Sequence, residues 1–214
     1  MKRRLVLMLL AAFVLPAAAA PAVSSADSRT DYFRAVNVDN ADGVRSSLAA
    51  GIDPNLTEPH RGDTGLIQAL RENNMRVFAV LVDAPGIDLE KRTGNGDNAL
   101  MIAGYKANRE AALALLAKGA QVNRAGWAPL HYAAAGGDAV IVKALLDRAA
   151  RVNAVSPTLE TPLTMAAREG HVAVLTLLLD AGADRKAKNK EGARAVDLAT
   201  FGRHDDAAKL LAPK

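Results

Sequence analysis

The stretch Thr161-Pro162-Leu163-Thr164-Met165-Ala166-Ala167-Arg168-Glu169-Gly170-His171, continued by Val172 to Asp180 and closed by Ala181-Gly182-Ala183-Asp184, decides how this chain folds. Thr161 is placed as a helix N-cap, its hydroxyl free to accept an orphan backbone N–H. Pro162 follows at the first helical position, where no hydrogen bond is asked of it. Leu163, Ala166 and Ala167 recur at helical spacing, and the alanines let a second helix come close. Gly170 ends the helix in the left-handed region that glycine occupies cheaply. A second helix over Val172 to Asp180 carries Leu175, Leu178 and Leu179 on one face, and Gly182 ends it. Two antiparallel helices of about eight to ten residues are too short to persist alone in water. They have to stack on something similar.

The same pattern recurs along the chain. With Leu163 as an anchor, equivalent anchors stand at Tyr32, Leu66, Leu100, Leu130 and Val196, spaced 34, 34, 30, 33 and 33 residues apart. Alanine sits three residues after every anchor, at Ala35, Ala69, Ala103, Ala133, Ala166 and Ala199. Leucine sits fifteen residues after five of them, at Leu81, Leu115, Leu145, Leu178 and Leu211. Small turn residues follow at Gly51, Gly86, Gly119, Ala149 and Gly182. A period near 33 with this content is the mark of stacked helix-turn-helix units. On Ala128-Pro129-Leu130-His131-Tyr132-Ala133-Ala134, Thr161-Pro162-Leu163-Thr164-Met165-Ala166-Ala167 and the Gly-Ala turns at Gly119-Ala120 and Gly182-Ala183, the chain resembles the ankyrin-repeat family. The resemblance spans residues 29–214 and implies an all-α solenoid of about six stacked helix-turn-helix units with short hairpin loops.

The chain opens with Lys2-Arg3-Arg4, an apolar run from Leu5 to Leu15, and the small residues Ala17 to Ala20 and Ala22 around Pro16 and Pro21. Positive end, apolar run and small-residue exit read as a secretory signal peptide over 1–22. The apolar run falls short of the roughly 20 residues that a membrane span needs, so a retained anchor is the lesser reading. The expected divisions are a flexible leader over 23–28, an N-terminal capping repeat over 29–57, and repeats over 58–91, 92–123, 124–155 and 156–188. A C-terminal capping repeat takes 189–214. The interval from Asn123 to its anchor Leu130 is three or four residues shorter than its counterparts, so the hairpin of the 124–155 copy must be stunted, just before Gly126-Trp127. Ala128 also stands where a capping Thr is expected, a loss of about 1 kcal/mol.

The chain carries 27 basic and 23 acidic side chains, a formal +4. Without Lys2, Arg3 and Arg4 the balance falls to +1, so the high isoelectric point gives no support to a nucleic-acid partner. The basic run Arg185 to Lys190 falls on an expected loop, as a solvated turn or an anion contact. There is no cysteine, which excludes disulfides and a lipid anchor on cysteine. No nucleophile motif, phosphate loop or metal-spaced histidine pair is present. Gly94-Asn95-Gly96-Asp97 lacks the alternate acids and closing Glu of a calcium loop. His131 and His171 fall at positions where the family resemblance implies structural bracing. The reading is therefore no enzyme, no cofactor and no metal.

What remains is surface. The resemblance implies a concave face built from positions three before, two after and five after each anchor, and a protein partner bound there. These positions include Asp63, Ile102, Glu160, Leu198 and Phe201. They also hold the sole Trp and two of the three Tyr of a chain that is only 4% aromatic. The candidate protein-binding residues are Trp127, Tyr132, Tyr105, Met165, Arg168 and Arg71, types that dominate interface energetics. The competing reading has Trp127 folded over the shortened loop and Ile102 and Leu198 buried between copies. The expectation is an exported, periplasmic monomer binding a protein of its own compartment, as scaffold, chaperone or maturation factor. An inhibitor or immunity protein blocking a secreted toxin is the alternative. Neither nucleic acid nor a membrane anchor after cleavage is expected.

Overall fold

The computed structural model describes residues 25–212, so the signal peptide read over 1–22 lies outside it. The described residues form twelve helices in six antiparallel pairs. The pairs are α1 (Ser25–Asn37) with α2 (Ala41–Ala49), α3 (Gly65–Glu72) with α4 (Met75–Val82), and α5 (Ala99–Tyr105) with α6 (Arg109–Ala117). They continue as α7 (Pro129–Gly136) with α8 (Ala139–Leu146), α9 (Pro162–Glu169) with α10 (Val172–Asp180), and α11 (Ala195–Phe201) with α12 (Asp205–Leu211). The odd-numbered helices pack on one another as an inner layer and the even-numbered ones as an outer layer. Two isolated bridges, Thr57 with Thr64 and Lys188 with Arg194, are the only β pairing among the described residues. This is the all-α repeat solenoid that the 33-residue period implies.

The periodic residues fill the space between layers. Leu66, Leu100, Leu130 and Leu163 are buried, as are all six alanines three residues later and all five leucines fifteen residues later. Each copy hides little apolar surface of its own, and stacking makes one continuous core. The cap at Thr161 acts as read, its Oγ1 accepting from Thr164 N at 3.3 Å, and Thr64 caps α3 in the same way, its Oγ1 accepting from Ile67 N at 3.3 Å. Asn98 does the same for α5, accepting from Met101 N at 3.1 Å. At Ala128 no side chain can cap. His131 supplies part of the loss, its Nδ1 accepting from Ala128 N at 3.1 Å.

The leader expected over 23–28 is corrected in its described part, because α1 begins at Ser25. Asp27 lies in the first turn, where the helix dipole favours a carboxylate. Arg29 then ties the helix to the array by donating to the Thr57 carbonyl. Gly65 replaces the Pro of other copies for a reason outside its own copy. A Cβ there would stand 2.2 Å from Tyr32 Oη, so the buried Tyr32 of the first copy and Gly65 of the second are fitted to each other.

Four hairpins project from the inner layer, each closed by a 2.9 Å backbone hydrogen bond: Glu58 to Asp63, Thr93 to Asp97, Ser156 to Glu160 and Asn189 to Ala193. Neighbouring tips are bonded, Gly94 N to Arg61 O at 3.2 Å and Lys190 N to Thr158 O at 3.0 Å. The shortened hairpin before α7 has no such closure. A notch therefore separates two bonded pairs of hairpins, crossed by Arg124, whose Nη1 donates to Gly96 O at 2.6 Å.

Candidate protein-binding surface

Beneath the notch the structure brings Tyr105, Trp127, Tyr132 and Met165 together. With Ala135 they line an open, mainly apolar pocket of about 150 Å³. Tyr105 comes from the end of α5, Tyr132 from the middle of α7, Met165 from α9, and Trp127 from the stunted hairpin. The rings stand edge to face. Tyr105 and Tyr132 centroids are 6.5 Å apart and Trp127 and Tyr132 are 6.0 Å apart, both pairs at 77°. Tyr105 is 61% exposed, whereas Trp127, Tyr132 and Met165 are half-buried.

Two glycines set the spacing of these helices. A Cβ on Gly136 would lie 2.1 Å from the Gly104 carbonyl oxygen, and one on Gly104 would lie 3.1 Å from Ala133 N. The absence of both side chains lets α5 and α7 approach backbone to backbone, which carries Tyr105 within reach of Tyr132. Trp127 both packs and faces the pocket. Its ring meets His131 at 5.4 Å and 73° as well as Tyr132, so the covering role and the patch role coincide.

His131 is buried and structural. Its Nε2 reaches the carbonyls of Ala154 and Glu160 in the next hairpin, both at 3.1 Å. Since Nδ1 accepts from Ala128 N, Nε2 carries the proton, and burial holds the ring's pKa below the ordinary histidine value. His171 and His204 likewise meet the carbonyls of Ala135 and Arg168 one copy back. The Tyr132 hydroxyl donates to Asp97, and burial together with that carboxylate pushes its pKa well up.

The two arginines behave differently from the rings. Arg168 lies beside Met165 but is paired with Glu160, and Arg71 Nε lies 2.9 Å from Asp63 Oδ2. Asp63 and Glu160, expected on the open concave face, are buried at 2% and 4% exposure. Each is drawn under its hairpin by its arginine, because a buried carboxylate needs a partner. Ile102 is corrected in the same way: it is buried between copies. Leu198 is half-buried and Phe201, at 90%, is fully open. Arg71 is not part of the aromatic cluster. It lines a separate polar cavity of about 610 Å³ with His60, Arg61, Asp63, Thr93, Gly94 and Asn95. Among the described residues no group of acids and histidines is arranged to hold a metal ion, and no helix is long and apolar enough to cross a membrane.

A family model described as ankyrin repeats in three copies matches residues 33–125, 85–156 and 130–214. The chain belongs to the ankyrin-repeat family. Among curated relatives, the human SH3 and multiple ankyrin repeat domains protein 2 is 32% identical over 173 residues, 78% of this chain and 9% of that protein. The human transient receptor potential cation channel subfamily A member 1 is 30% identical over 160 residues, 70% of this chain and 14% of that one. The chain thus spans a small part of these ankyrin relatives. Among solved structures, the ankyrin repeat protein EF0377 superposes with a TM-score of 0.71 at 25% identity, covering 85% of this chain and 96% of that one. A chain of the Bd0816 predatory endopeptidase from Bdellovibrio bacteriovorus in complex with immunity protein Bd3460 gives 0.72 at 26% identity, covering 85% and 96%. The ankyrin array is a protein-interaction scaffold, and no catalytic family is indicated.

Proposed function

We propose that this ankyrin protein is an exported, non-enzymatic module that binds another protein of the periplasm through its concave face, as a scaffold, protective chaperone or maturation factor. The observation that carries the site is the convergence of Tyr105, Trp127, Tyr132 and Met165 from three inner helices and one hairpin around a single open pocket. Large rings held rigidly at a partly exposed surface offer contact area at little entropic cost. Export rests on the 1–22 segment of the sequence. A second reading, an immunity or inhibitor protein for a secreted enzyme, is favoured by the likeness to the endopeptidase–immunity protein complex. Capture from an envelope extract of the source organism tests the site, using wild type and Trp127→Ala/Tyr132→Ala protein. Loss of a specific partner with unchanged helical circular dichroism is expected; equal recovery by both removes the patch. If the captured partner is a hydrolase whose activity the protein inhibits, the second reading stands.

A further inference from the structure

Neighbouring hairpins are bonded tip to tip at two junctions, and the two are built on one plan. Between the fifth and sixth copies Asn189, seven residues before its anchor, braces its hairpin: Oδ1 accepts from Glu191 N at 3.2 Å and Ala193 N at 2.9 Å. Between the second and third copies Thr93 stands at the same position and braces in the same way, Oγ1 accepting from Asn95 N and Asp97 N, both at 3.2 Å. The buried acid beneath is treated differently. The Asn189 amide has a nitrogen to spare, which donates to Glu160 Oε1 at 3.2 Å, beside Arg168. Thr93 has no such nitrogen. Asp63, the counterpart of Glu160, has Arg71 Nε 2.9 Å from Oδ2, and its Oδ1 is buried with no donor among the described residues. Asp63 is also one methylene shorter than Glu160. Where Glu160 and Asn189 meet at one junction, the other has the cavity of about 610 Å³, with Asp63 and Thr93 in its walls. Glu160 keeps one orphan oxygen, Oε2, but its hydrogen bonds outweigh burial and lower its pKa; at Asp63 burial prevails over Arg71 and raises it. A buried acceptor left without a donor is costly, and a ligand that brings the donor relieves the cost.

We propose that the cavity between the second and third hairpins takes an asparagine or glutamine side chain of a partner protein, its NH₂ donating to Asp63 and its carbonyl accepting from Arg61, in the place that Asn189 fills at the other junction. The charges that act on Asp63 are Arg71, Glu58 and Arg61, so with Asp63 itself the site holds two cations and two anions. An ammonium would supply the donor but meet two guanidinium groups. A carboxylate would meet Arg61 but leave Oδ1 orphaned. A carboxamide is neutral and carries donor and acceptor side by side. Arg61 is exposed at its hairpin tip, lines the cavity and has no ion pair among the described residues. A smaller space of about 210 Å³ shares His60, Arg61, Asp63 and Arg71 with the cavity and reaches Gln68, two residues after its anchor on the concave face. The proposal therefore rests on the concave-face reading above and adds a polar anchoring point to it.

Isotope-labelled full protein is titrated with propionamide, the end of a glutamine side chain, and with propionate, propylammonium and N,N-dimethylpropionamide, while the backbone amide NMR signals of Arg61, Gly94 and Asn95 are followed. Propionamide should give saturable shifts with a dissociation constant on the order of 10 mM, as for any ligand this small. The dimethyl amide keeps the carbonyl but has no N–H, and should bind at least about tenfold more weakly, the loss of a hydrogen bond to a charged group. Both ions should also bind more weakly than propionamide. Thr93→Asn installs the amide of the other junction and should abolish the propionamide response while circular dichroism stays unchanged. Arg61→Gln, at an exposed position, should weaken the response about fivefold. Thr93→Asn should also lower capture of the partner from the envelope extract. Equal affinity for propionamide and its dimethyl form, tighter binding of either ion, or no saturable response would overturn the proposal. So would a folded Thr93→Asn protein that still binds propionamide. Capture undiminished by Thr93→Asn beside a positive titration would overturn it too, since the cavity would then serve a free carboxamide rather than a partner. No partner is present in the titration, so its failure leaves the concave-face reading standing. A positive titration with capture unaffected by Trp127→Ala/Tyr132→Ala would remove the aromatic patch and leave the cavity.

Discussion

Gly136→Ala tests the close approach that builds the aromatic site. The added Cβ would stand 2.1 Å from the Gly104 carbonyl oxygen, 2.8 Å from that of Tyr105 and 3.1 Å from the Tyr105 carbonyl carbon. All three are backbone atoms at the end of α5, and none can rotate away. Restoring ordinary contact moves the helices apart by about 1 Å, a gap that forfeits a quarter to a half of the dispersion energy of each facing pair. Overpacking of this kind costs about 1–3 kcal/mol. Alanine's better helix propensity returns at most about 1 kcal/mol, so a net loss of about 1–2 kcal/mol is expected. Gly104→Ala is the internal control. Its Cβ would meet Ala133 N at 3.1 Å and Ala133 Cα and Cβ at 3.3 Å, a misfit of tenths of an ångström that propensity offsets. Its stability should stay within about 1 kcal/mol of wild type. Urea unfolding followed by circular dichroism measures both, with the slope checked for constancy. A Gly136→Ala protein as stable as wild type, or a Gly104→Ala protein that is the worse of the two, would refute the packing described for α5 and α7.

Two further outcomes follow from the same geometry. Leu163 is fully buried in the inner layer, and Leu163→Ala should cost about 2–5 kcal/mol. Hydrogen exchange should show the loss spreading from α9 into α7 and α11, because each copy supports the next, and loss confined to α9 and α10 would contradict the stacking. Burial acts to raise the Glu160 pKa, but hydrogen bonds from Thr164, Arg168 and Asn189 outweigh it and hold it below the ordinary 4.5. A lowered folded-state pKa means stability present above 4.5 and lost as pH falls through the folded value. The stability gap between wild type and Glu160→Gln should therefore be full at neutral pH and shrink on acidification. Asp63 goes the other way: burial outweighs Arg71 and raises its pKa above the ordinary 3.8. Its contribution is lost as pH rises through the folded value, so Asp63→Asn should become less costly with rising pH. Slopes of the same sign for the two variants in pH-dependent urea titrations would refute the assignment.

The sequence by itself determined the period, the helix pairs, the cap at Thr161, the buried anchors and the stunted hairpin. Each of these is written within one turn of helix or one repeat, where hydrophobic spacing and capping chemistry act locally. The ankyrin resemblance, carried onto fixed offsets from each anchor, also implied one shared face for Tyr105, Trp127, Tyr132 and Met165. Only the tertiary structure decided which of the face's residues are free. Arg71 and Arg168 are taken by buried acids eight residues away, at the other end of their own helices, and Ile102 is lost to the neighbouring copy. Gly65 is explained by Tyr32, and Gly136 by the backbone of α5, each about one repeat away. A repeat pattern reports what every copy shares, whereas the space left at a given side chain depends on the particular residues of the copy stacked against it. That is why Asp97, which stands at the position of Asp63 and Glu160, accepts from the Tyr132 hydroxyl where they meet an arginine of their own copy.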